Sequence, residues 1–365
     1  MYALLRPALF NLEPERAHHL TLTALARGRA VARRCFGDRV PEAPVEVMGL
    51  RLPNPIGLAA GLDKDGTCID GLAALGFGFV EVGTVTPVAQ AGNERPRLFR
   101  LTEQRGLLNR FGFNNAGVEA LVARIRAANY DGVLGVNIGR NAATPPERAI
   151  DDYRAGLRAV HEVASYVTIN VSSPNTAGLR DMQGGAGLDA LLAALVAERD
   201  SLAAEHGRRL PLAIKVAPDL DAAALDALAE RVRHHGIDAV IATNTTTARD
   251  GLPPRWRDQA GGVSGVPLRE RATELIAALH RRLGDDIPII GVGGIQSARD
   301  AEAKLAAGAR ALQLYTGLIY RGPRLIRDCV EAARVHTARE RIRAQAAVVS
   351  GDRARARAGA GTAHR

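Results

Sequence analysis

The sequence predicts an α/β protein: a (β/α)8 TIM barrel with a short N-terminal helical extension. Three observations favour this fold, namely eight short apolar runs, helical segments between them, and a helical leader before the first run. The runs are rich in Val, Ile and Leu and have the length of buried strands. Strands that alternate with helices are parallel and joined by right-handed crossovers. Eight such units favour a closed barrel over a doubly wound open sheet.

The predicted strands follow one another along the centre of the chain. They occupy residues 55–60, 79–83, 133–138, 166–171, 212–217, 239–243, 288–292 and 310–314. Helical periodicity between them is clearest in 188–206, 222–235, 269–283 and 298–307. Together these segments place the barrel within residues 45–332.

Both ends of the chain lie outside the predicted barrel. The leader, residues 1–44, is predicted as two short helices at about 2–10 and 13–34. Residues 333–365 are rich in Ala and Arg, and we expect a fraying helix followed by a disordered tail.

Charge is unevenly distributed along the chain. Residues 1–40 carry a net +4 and residues 333–365 a net +6, which leaves −1 of the total +9 for the central part. A near-neutral body argues against a nucleic-acid partner, whereas basic ends would be attracted to an anionic membrane surface. No run approaches the roughly 18 apolar residues of a membrane span. Three scattered cysteines indicate neither a disulfide framework nor a zinc site, and we expect no metal.

Unusual polar residues fall where the predicted strands end, which is where barrels build active sites. Two of only three lysines lie there, Lys64 after strand 1 and Lys215 in strand 5. Asparagines that suit cyclic imides and amides accompany them; they are Asn137, Asn170, Asn175 and Asn244. Residues 291–294 and 315–317 occupy the place where barrels bind phosphate on backbone N–H groups. By itself, a single asparagine or the GVGG string would indicate only a turn. The convergence of these asparagines with the two lysines at one rim favours a ligand site.

At this rim the chain resembles a known family. The matching strings are GLAAGLDKDG (57–66), GTVTP (83–87), RPRLFRL (95–101), NRFGFNN (109–115), NVSSPNT (170–176), IATNTT (241–246), GGVSG (261–265) and IIGVGGI (289–295). They are similar to those of dihydroorotate dehydrogenases, from the start of the chain to about residue 332. Two features resemble the membrane-associated, quinone-dependent class: the leader, and Ser173 where the soluble class places a cysteine.

The resemblance implies oxidation of (S)-dihydroorotate to orotate by FMN, with electrons passed to a membrane quinone, in de novo pyrimidine (UMP) biosynthesis. It also implies a peripheral location on the cytoplasmic side of the cell membrane. The leader would be the membrane and quinone-access extension, and its helices would contact the anionic membrane surface. The leader also has a structural reading, as a cap whose leucines pack inward on the barrel.

The family's site residues carry over by motif, and all of them are expectations. Ser173 would be the catalytic base, with Thr176 passing the proton onward. The substrate-binding residues would be Lys64, Asn109, Arg110, Phe111, Gly112, Phe113, Asn170, Asn175, Asn244 and Thr245. The FMN-binding residues would be Ala60, Gly61, Leu62, Asp63, Lys64, Thr84, Asn137, Asn170, Lys215, Thr243, Gly265, Gly294, Tyr315 and Thr316. Lys215 would stabilise the negative charge of the reduced flavin, and the glycine-rich loop after Ser173 would form a lid.

Other functions stay open at this point. A soluble-class enzyme of the same family would deliver electrons to fumarate or NAD. A phosphate-binding barrel lyase or isomerase would use no flavin, and a non-catalytic barrel would only bind a ligand. Two departures from the family pattern, Thr316 for Ser and Phe111 for Met, leave the implied activity in place.

Overall fold

A computed structural model of the chain describes residues 2–176, 178–183 and 185–360. Its strands, in chain order, are β1 (Val45–Val47), β2 (Leu50–Leu52), β3 (Ile56–Leu58), β4 (Phe79–Val85), β5 (Leu98–Leu101), β6 (Gly106–Asn109), β7 (Val133–Ile138), β8 (Tyr166–Asn170), β9 (Leu212–Val216), β10 (Ala239–Ala242), β11 (Gly262–Gly265), β12 (Ile289–Val292) and β13 (Ala309–Leu314). Eight of them pair in parallel and close into a barrel in the order β3-β4-β7-β8-β9-β10-β12-β13. The predicted (β/α)8 barrel is confirmed, because each of the eight predicted strands overlaps one barrel strand.

Helices lie between the barrel strands and at both ends of the chain. They are α1 (Tyr2–Asn11), α2 (Pro14–Arg27), α3 (Arg29–Cys35), α4 (Ile69–Ala73), α5 (Val118–Ala127), α6 (Ala149–Val160), α7 (Gly185–His206), α8 (Ala222–His234), α9 (Pro254–Arg257), α10 (Arg269–Leu283), α11 (Ala298–Ala306), α12 (Thr316–Arg321) and α13 (Arg324–Ala360). Short 3-10 segments cover Gly37–Arg39, Pro146–Arg148, Arg180–Gln183 and Val266–Leu268.

The amino end of the barrel is filled with side chains. Phe79 and Tyr166 begin their strands and meet edge to face, with ring centroids 6.5 Å apart. Glycines on neighbouring strands make room for these rings, because a Cβ on Gly57 would lie 2.3 Å from the Phe79 ring. The β1–β2 hairpin adds Val47 to the same buried cluster. With that end packed, the open space of the barrel lies at the carboxyl ends of the strands.

A second, antiparallel sheet of three strands, in the order β11-β6-β5, was not predicted. Its segments were recognised only as motifs, since each is four residues long and carries no clear alternation. The register places Gly262 opposite Asn109, and a bridge joins Val263 to Thr246 in the loop after β10. The small sheet therefore brings the 109–113 loop beside the loop after β10.

The leader differs from the two predicted helices. The first prediction matches α1, but the second helix is interrupted at Gly28, which ends α2 and precedes α3. Glycine is unfavourable within a helix and is common where one stops. The Glu13 carboxylate caps α2 by accepting hydrogen bonds from the backbone N–H groups of Glu15 and Arg16. Among residues 2–176, 178–183 and 185–360, no helix has the length and apolar character needed to cross a membrane.

The last helix runs further than expected. Helical geometry continues from Arg324 to Ala360, because alanine and arginine are strong helix formers. Residues 361–365 lie outside the described part of the chain, and disorder at the end of the chain stays a prediction.

Candidate active site

One cavity opens at the carboxyl ends of the barrel strands, between them and the small β11-β6-β5 sheet. Side chains from seven of the eight barrel strands or their following loops line it, together with apolar side chains of the small sheet such as Leu98 and Leu107. In the part of the chain that the structure describes, no cluster of three or more His, Cys, Asp or Glu could hold a metal ion. The cavity is therefore built from amides, hydroxyls, two lysines and apolar groups.

Most residues that the sequence assigned to a site converge on this cavity. Ser173 lines it with nine of the ten substrate candidates: Lys64, Asn109, Phe111, Gly112, Phe113, Asn170, Asn175, Asn244 and Thr245. Eleven of the fourteen FMN candidates also line it: Ala60, Gly61, Lys64, Thr84, Asn170, Lys215, Thr243, Gly265, Gly294, Tyr315 and Thr316. Their individual roles stay predictions.

Four candidates lie elsewhere. The guanidinium of Arg110 donates to the Pro96 carbonyl and lies over the Phe99 ring. Leu62 packs in the main core. Asp63 is buried and accepts hydrogen bonds from the backbone of Thr67 and Cys68, which holds the loop that carries Lys64.

Asn137 is the fourth, and it lies beneath the cavity wall. Fully buried, it accepts a hydrogen bond from the Thr84 hydroxyl at 2.5 Å and another from the Asn170 amide at 3.1 Å. It therefore supports two wall residues instead of lining the wall itself.

Lys215 lines the cavity, and Glu81 is buried near enough for its charge to act on it. Lys215 is 5% exposed, and its ammonium makes no hydrogen bond to any described residue. Burial lowers the pKa of Lys215, and the charge of Glu81 opposes that shift. Glu81 is fully buried and accepts hydrogen bonds from Asn137, Tyr166 and Gln313. Lys215 thus presents its amino group to the cavity.

Sequence reasoning missed Glu81 and Gln313. The signal was present, since both are polar residues inside otherwise apolar strand segments, FVEVG and ALQL. Inward-facing positions of a barrel are buried, so a polar residue there needs hydrogen-bond partners.

The amide side chains of the rim are held by one another. The Asn170 amide donates to Thr84 Oγ1 at 2.9 Å. The Asn244 amide donates to Ser172 Oγ at 3.0 Å, and the Asn175 amide to Asn109 Oδ1 at 3.1 Å. These bonds join loops that are distant in sequence, so the donors and acceptors of the rim are fixed before a ligand binds.

Ser173 lies in the loop after β8. Its side chain is nearly buried, and its Oγ accepts a hydrogen bond from the Asn175 backbone N–H at 3.2 Å. Nearby in sequence, the buried Thr176 hydroxyl has no hydrogen-bond partner among the described residues. Among the described residues, neither the Ser173 hydroxyl proton nor the Thr176 hydroxyl has a hydrogen-bond partner.

Lys64 lines the same cavity and lies against the Phe111 ring. Its Nζ donates to the Gly61 carbonyl at 3.0 Å and lies 4.0 Å from the ring centroid. Burial and then the charge of Arg97 lower the pKa of Lys64 to about 8. In turn, burial and then Lys64 lower the pKa of His18 to about 3. Sequence reasoning assigned neither Arg97 nor His18 to this region, because both reach it from outside the barrel strands.

Glycines form the far end of the cavity. A Cβ on Gly265 would lie 2.4 Å from the Arg105 carbonyl oxygen, and one on Gly294 would lie 2.4 Å from the Arg269 backbone. Both glycines have positive φ, so only glycine fits without strain. The Ser264 and Thr316 hydroxyls lie beside them, 2.8 Å apart. This end of the cavity is lined by glycine backbone and hydroxyl groups, which are the groups that bind phosphate.

Comparisons with known proteins agree with this geometry. The sequence model of the family described as dihydroorotate dehydrogenase matches residues 42–333. A dihydroorotate dehydrogenase (quinone) of Burkholderia thailandensis is 58% identical over 336 residues, which cover 91% of this chain and 97% of that protein. One of Methylococcus capsulatus is 58% identical over 327 residues, covering 89% and 96%. The crystal structure of ligand-free DHODH from Eimeria tenella superposes with a TM-score of 0.80 at 36% identity, covering 88% of this chain and 94% of that one.

Proposed function

Because the chain belongs to the dihydroorotate dehydrogenase family, we propose that it oxidises (S)-dihydroorotate to orotate with FMN and passes the electrons to a membrane quinone. This reaction would serve de novo pyrimidine synthesis. The observation that carries the proposal is the single cavity in which Ser173, a set of asparagines and the buried Lys215 meet. The cavity would thereby bring together a proton acceptor, hydrogen-bonding groups for a cyclic imide and a cation for a reduced flavin.

The cavity fits FMN at both of its ends. At one end, the backbone of Gly265 and Gly294 lines the cavity, with the Thr316 hydroxyl beside it, which suits a phosphate. At the other, the ammonium of Lys215 has no hydrogen-bond partner among the described residues, which suits the negative charge of a reduced flavin. Bound FMN would supply the hydride acceptor. Lys64, Thr84, Asn170, Thr243 and Tyr315 would hold it between these ends.

The substrate would lie against the asparagines. Asn109, Asn175 and Asn244 offer both donors and acceptors, as a ring with two amides requires. The Lys64 ammonium would bind the substrate carboxylate, because it is the cationic side chain that lines this wall.

Ser173 would take the proton from the substrate carbon. A serine hydroxyl is too weak an acid to be ionised at neutral pH, so the transfer needs a shielded site and an onward path. The burial of Ser173 supports shielding, and the unpartnered Thr176 hydroxyl supports the path. Phe113, buried and lining the same cavity, would help to exclude water.

The leader would bring the enzyme to the cytoplasmic face of the cell membrane. Leu4 is 83% exposed and Leu5 55%, in a segment whose net charge is positive. An apolar helix face with surrounding arginines suits the interface of an anionic membrane. Phe10 packs edge-on against Tyr320, in an apolar cluster that continues to Phe111 at the cavity wall. That cluster would admit a quinone from the leader side.

One purification and one acceptor comparison test the proposal. The protein should be yellow with stoichiometric FMN, and anaerobic dihydroorotate should bleach the flavin. Reoxidation should be fast with a ubiquinone analogue and slow with fumarate or NAD. A colourless protein, or a flavin that dihydroorotate does not reduce, would contradict the activity. Faster reoxidation by fumarate or NAD would contradict the acceptor.

A further inference from the structure

An ion pair between Arg180 and Asp219 lies beside the cavity and has no part in the function proposed above. Arg180 begins the 3-10 segment Arg180–Gln183 in the loop after Ser173, and Asp219 follows β9. The Arg180 Nη1 atom lies 2.8 Å from Asp219 Oδ2, and the two side chains are 21% and 18% exposed. Partial burial of both partners distinguishes this pair from the exposed ion pairs of the surface, which contribute little.

The same guanidinium also binds two backbone carbonyls across the rim. Its Nε atom donates to the Ser172 carbonyl at 3.1 Å, and Nη2 donates to the Thr245 carbonyl at 2.7 Å. Ser172 immediately precedes the proposed base, and Thr245 is a proposed substrate residue. Because the guanidinium is a rigid planar fork, it fixes the spacing between these two loops.

Asp219 anchors that fork. Its carboxylate accepts hydrogen bonds from the Thr246 hydroxyl and the Thr247 backbone N–H, and Arg271 lies 3.1 Å away. Burial raises the pKa of Asp219, but these hydrogen bonds and the charge of Arg180 lower it by more. The net result is a pKa below the usual value. The loops after β8, β9 and β10, which are neighbours in the barrel, are therefore tied together at one carboxylate.

We infer that Arg180 is a positioning residue for flavin reduction: held by Asp219, it sets where Ser173 lies relative to the substrate bound at Thr245. The inference rests on the proposed function, in which Ser173 is the base. Arg180 does not line the cavity, so it acts through the two loops whose carbonyls it binds. The inference assigns its effect on the rate to the loop that carries Ser173. A misplacement of about 1 Å at a reacting group lowers a rate by on the order of 10²-fold.

Anaerobic stopped-flow measurement of flavin reduction at saturating dihydroorotate tests this inference in four proteins: wild type, Arg180→Ala, Ser173→Ala and the double variant. Arg180→Ala should slow reduction by on the order of 10- to 100-fold, with the FMN content and flavin reduction potential of the wild type. In the Ser173→Ala background the same substitution should slow it by less than about threefold, since a group that acts through Ser173 has nothing left to position.

Two outcomes would overturn the inference, and they are distinguishable. If Ser173→Ala reduces its flavin as fast as the wild type, the proposed base falls together with the positioning role. If Ser173→Ala is slow but Arg180→Ala slows it again by the full factor, only the positioning role falls.

Matched variants separate positioning from folding. Arg180→Lys keeps one charge for Asp219 but cannot reach both carbonyls, so its rate should lie between those of the wild type and Arg180→Ala. Asp219→Asn should show the same dependence on Ser173, and it decides the question if Arg180→Ala loses FMN. Arg282→Ala removes an arginine of similar exposure, 23%, from its pair with the exposed Asp226 at 2.6 Å, between α10 and α8. It should reduce its flavin at the wild-type rate, and an equal loss there would also overturn the inference.

Discussion

The cavity and the leader hold their distinctive side chains in opposite ways. In the cavity, Asn170, Ser173 and Lys215 are each 6% exposed or less, and hydrogen bonds between loops fix the surrounding amides. In the leader, α1 has no buried residue, and Leu4 and Leu5 face outward. One region therefore keeps polar groups away from water, and the other keeps apolar groups in contact with it.

The leader is nevertheless attached to the barrel, and polar groups supply much of the attachment. The Arg100 guanidinium donates to the carbonyls of Leu9, Phe10 and Leu12 at the end of α1. The buried carboxylate of Glu15 in α2 lies 2.7 Å from the guanidinium of Arg97. Because these contacts hold the helices without covering Leu4 and Leu5, the chemistry of the cavity and the surface behaviour of the leader should be separable by mutation.

Removing the Ser173 hydroxyl should give the largest effect and confine it to the cavity. Ser173→Ala should slow flavin reduction by dihydroorotate by on the order of 10²- to 10⁴-fold, the contribution expected of a general base. FMN content and vesicle binding should stay at wild-type values, because the change touches neither the glycine end of the cavity nor the leader. Rapid mixing under anaerobic conditions measures the rate. Loss of FMN from the variant would instead assign Ser173 a structural role.

The pH dependence of orotate binding should report on Lys64. Its pKa is lowered to about 8 in the protein, so the side chain is cationic below that pH and neutral above it. Binding of the orotate carboxylate should therefore weaken as pH rises through 8, approaching about tenfold per pH unit. Titration of the flavin absorbance with orotate gives the dissociation constant at each pH. Lys64→Arg is the matched control, since its guanidinium stays protonated; an identical pH profile in the two proteins would exclude Lys64 as the carboxylate's partner.

The sequence alone predicts the barrel strands and two of the charged residues of the cavity. The eight strands were predictable because each is a short apolar run between helical segments, and the barrel and the family are both confirmed. The scarcity of lysine drew attention to Lys64 and Lys215, and both line the cavity. Such signals are local, since they depend only on neighbours in the chain.

What was missed depends on contacts between distant residues. The buried carboxylate of Glu81 is satisfied by hydrogen bonds from Tyr166 and Gln313, which lie on other strands of the barrel. Nothing in the sequence distinguishes Arg180 from the other arginines, because its role depends on the carbonyls of two rim loops that its guanidinium binds. Arg110, by contrast, belonged to a matching motif but lies outside the cavity, because a motif gives residue types and not the direction of a side chain.

Mutations in the leader should give the smallest effect, and they test whether its exposed leucines enter the membrane. Deleting residues 1–40 would remove Glu15 and leave Arg97 buried without its partner, which is strongly destabilising. The double variant Leu4→Ser, Leu5→Ser avoids this cost, because both side chains are exposed. Val88→Ser is the matched control, since Val88 is 68% exposed, lies in neither basic end of the chain and does not line the cavity.

If the leader lies in the membrane interface, the double variant should bind anionic vesicles about tenfold or more weakly. Burying even half of two leucine side chains is worth roughly 1.5–3 kcal/mol, and about 1.4 kcal/mol corresponds to tenfold. Cosedimentation with vesicles measures the binding, and the apparent KM for a long-tailed quinone should rise in parallel. Flavin reduction by dihydroorotate should not change, because neither leucine lines the cavity. Equal vesicle binding by the double variant and Val88→Ser would show that Leu4 and Leu5 do not enter the membrane.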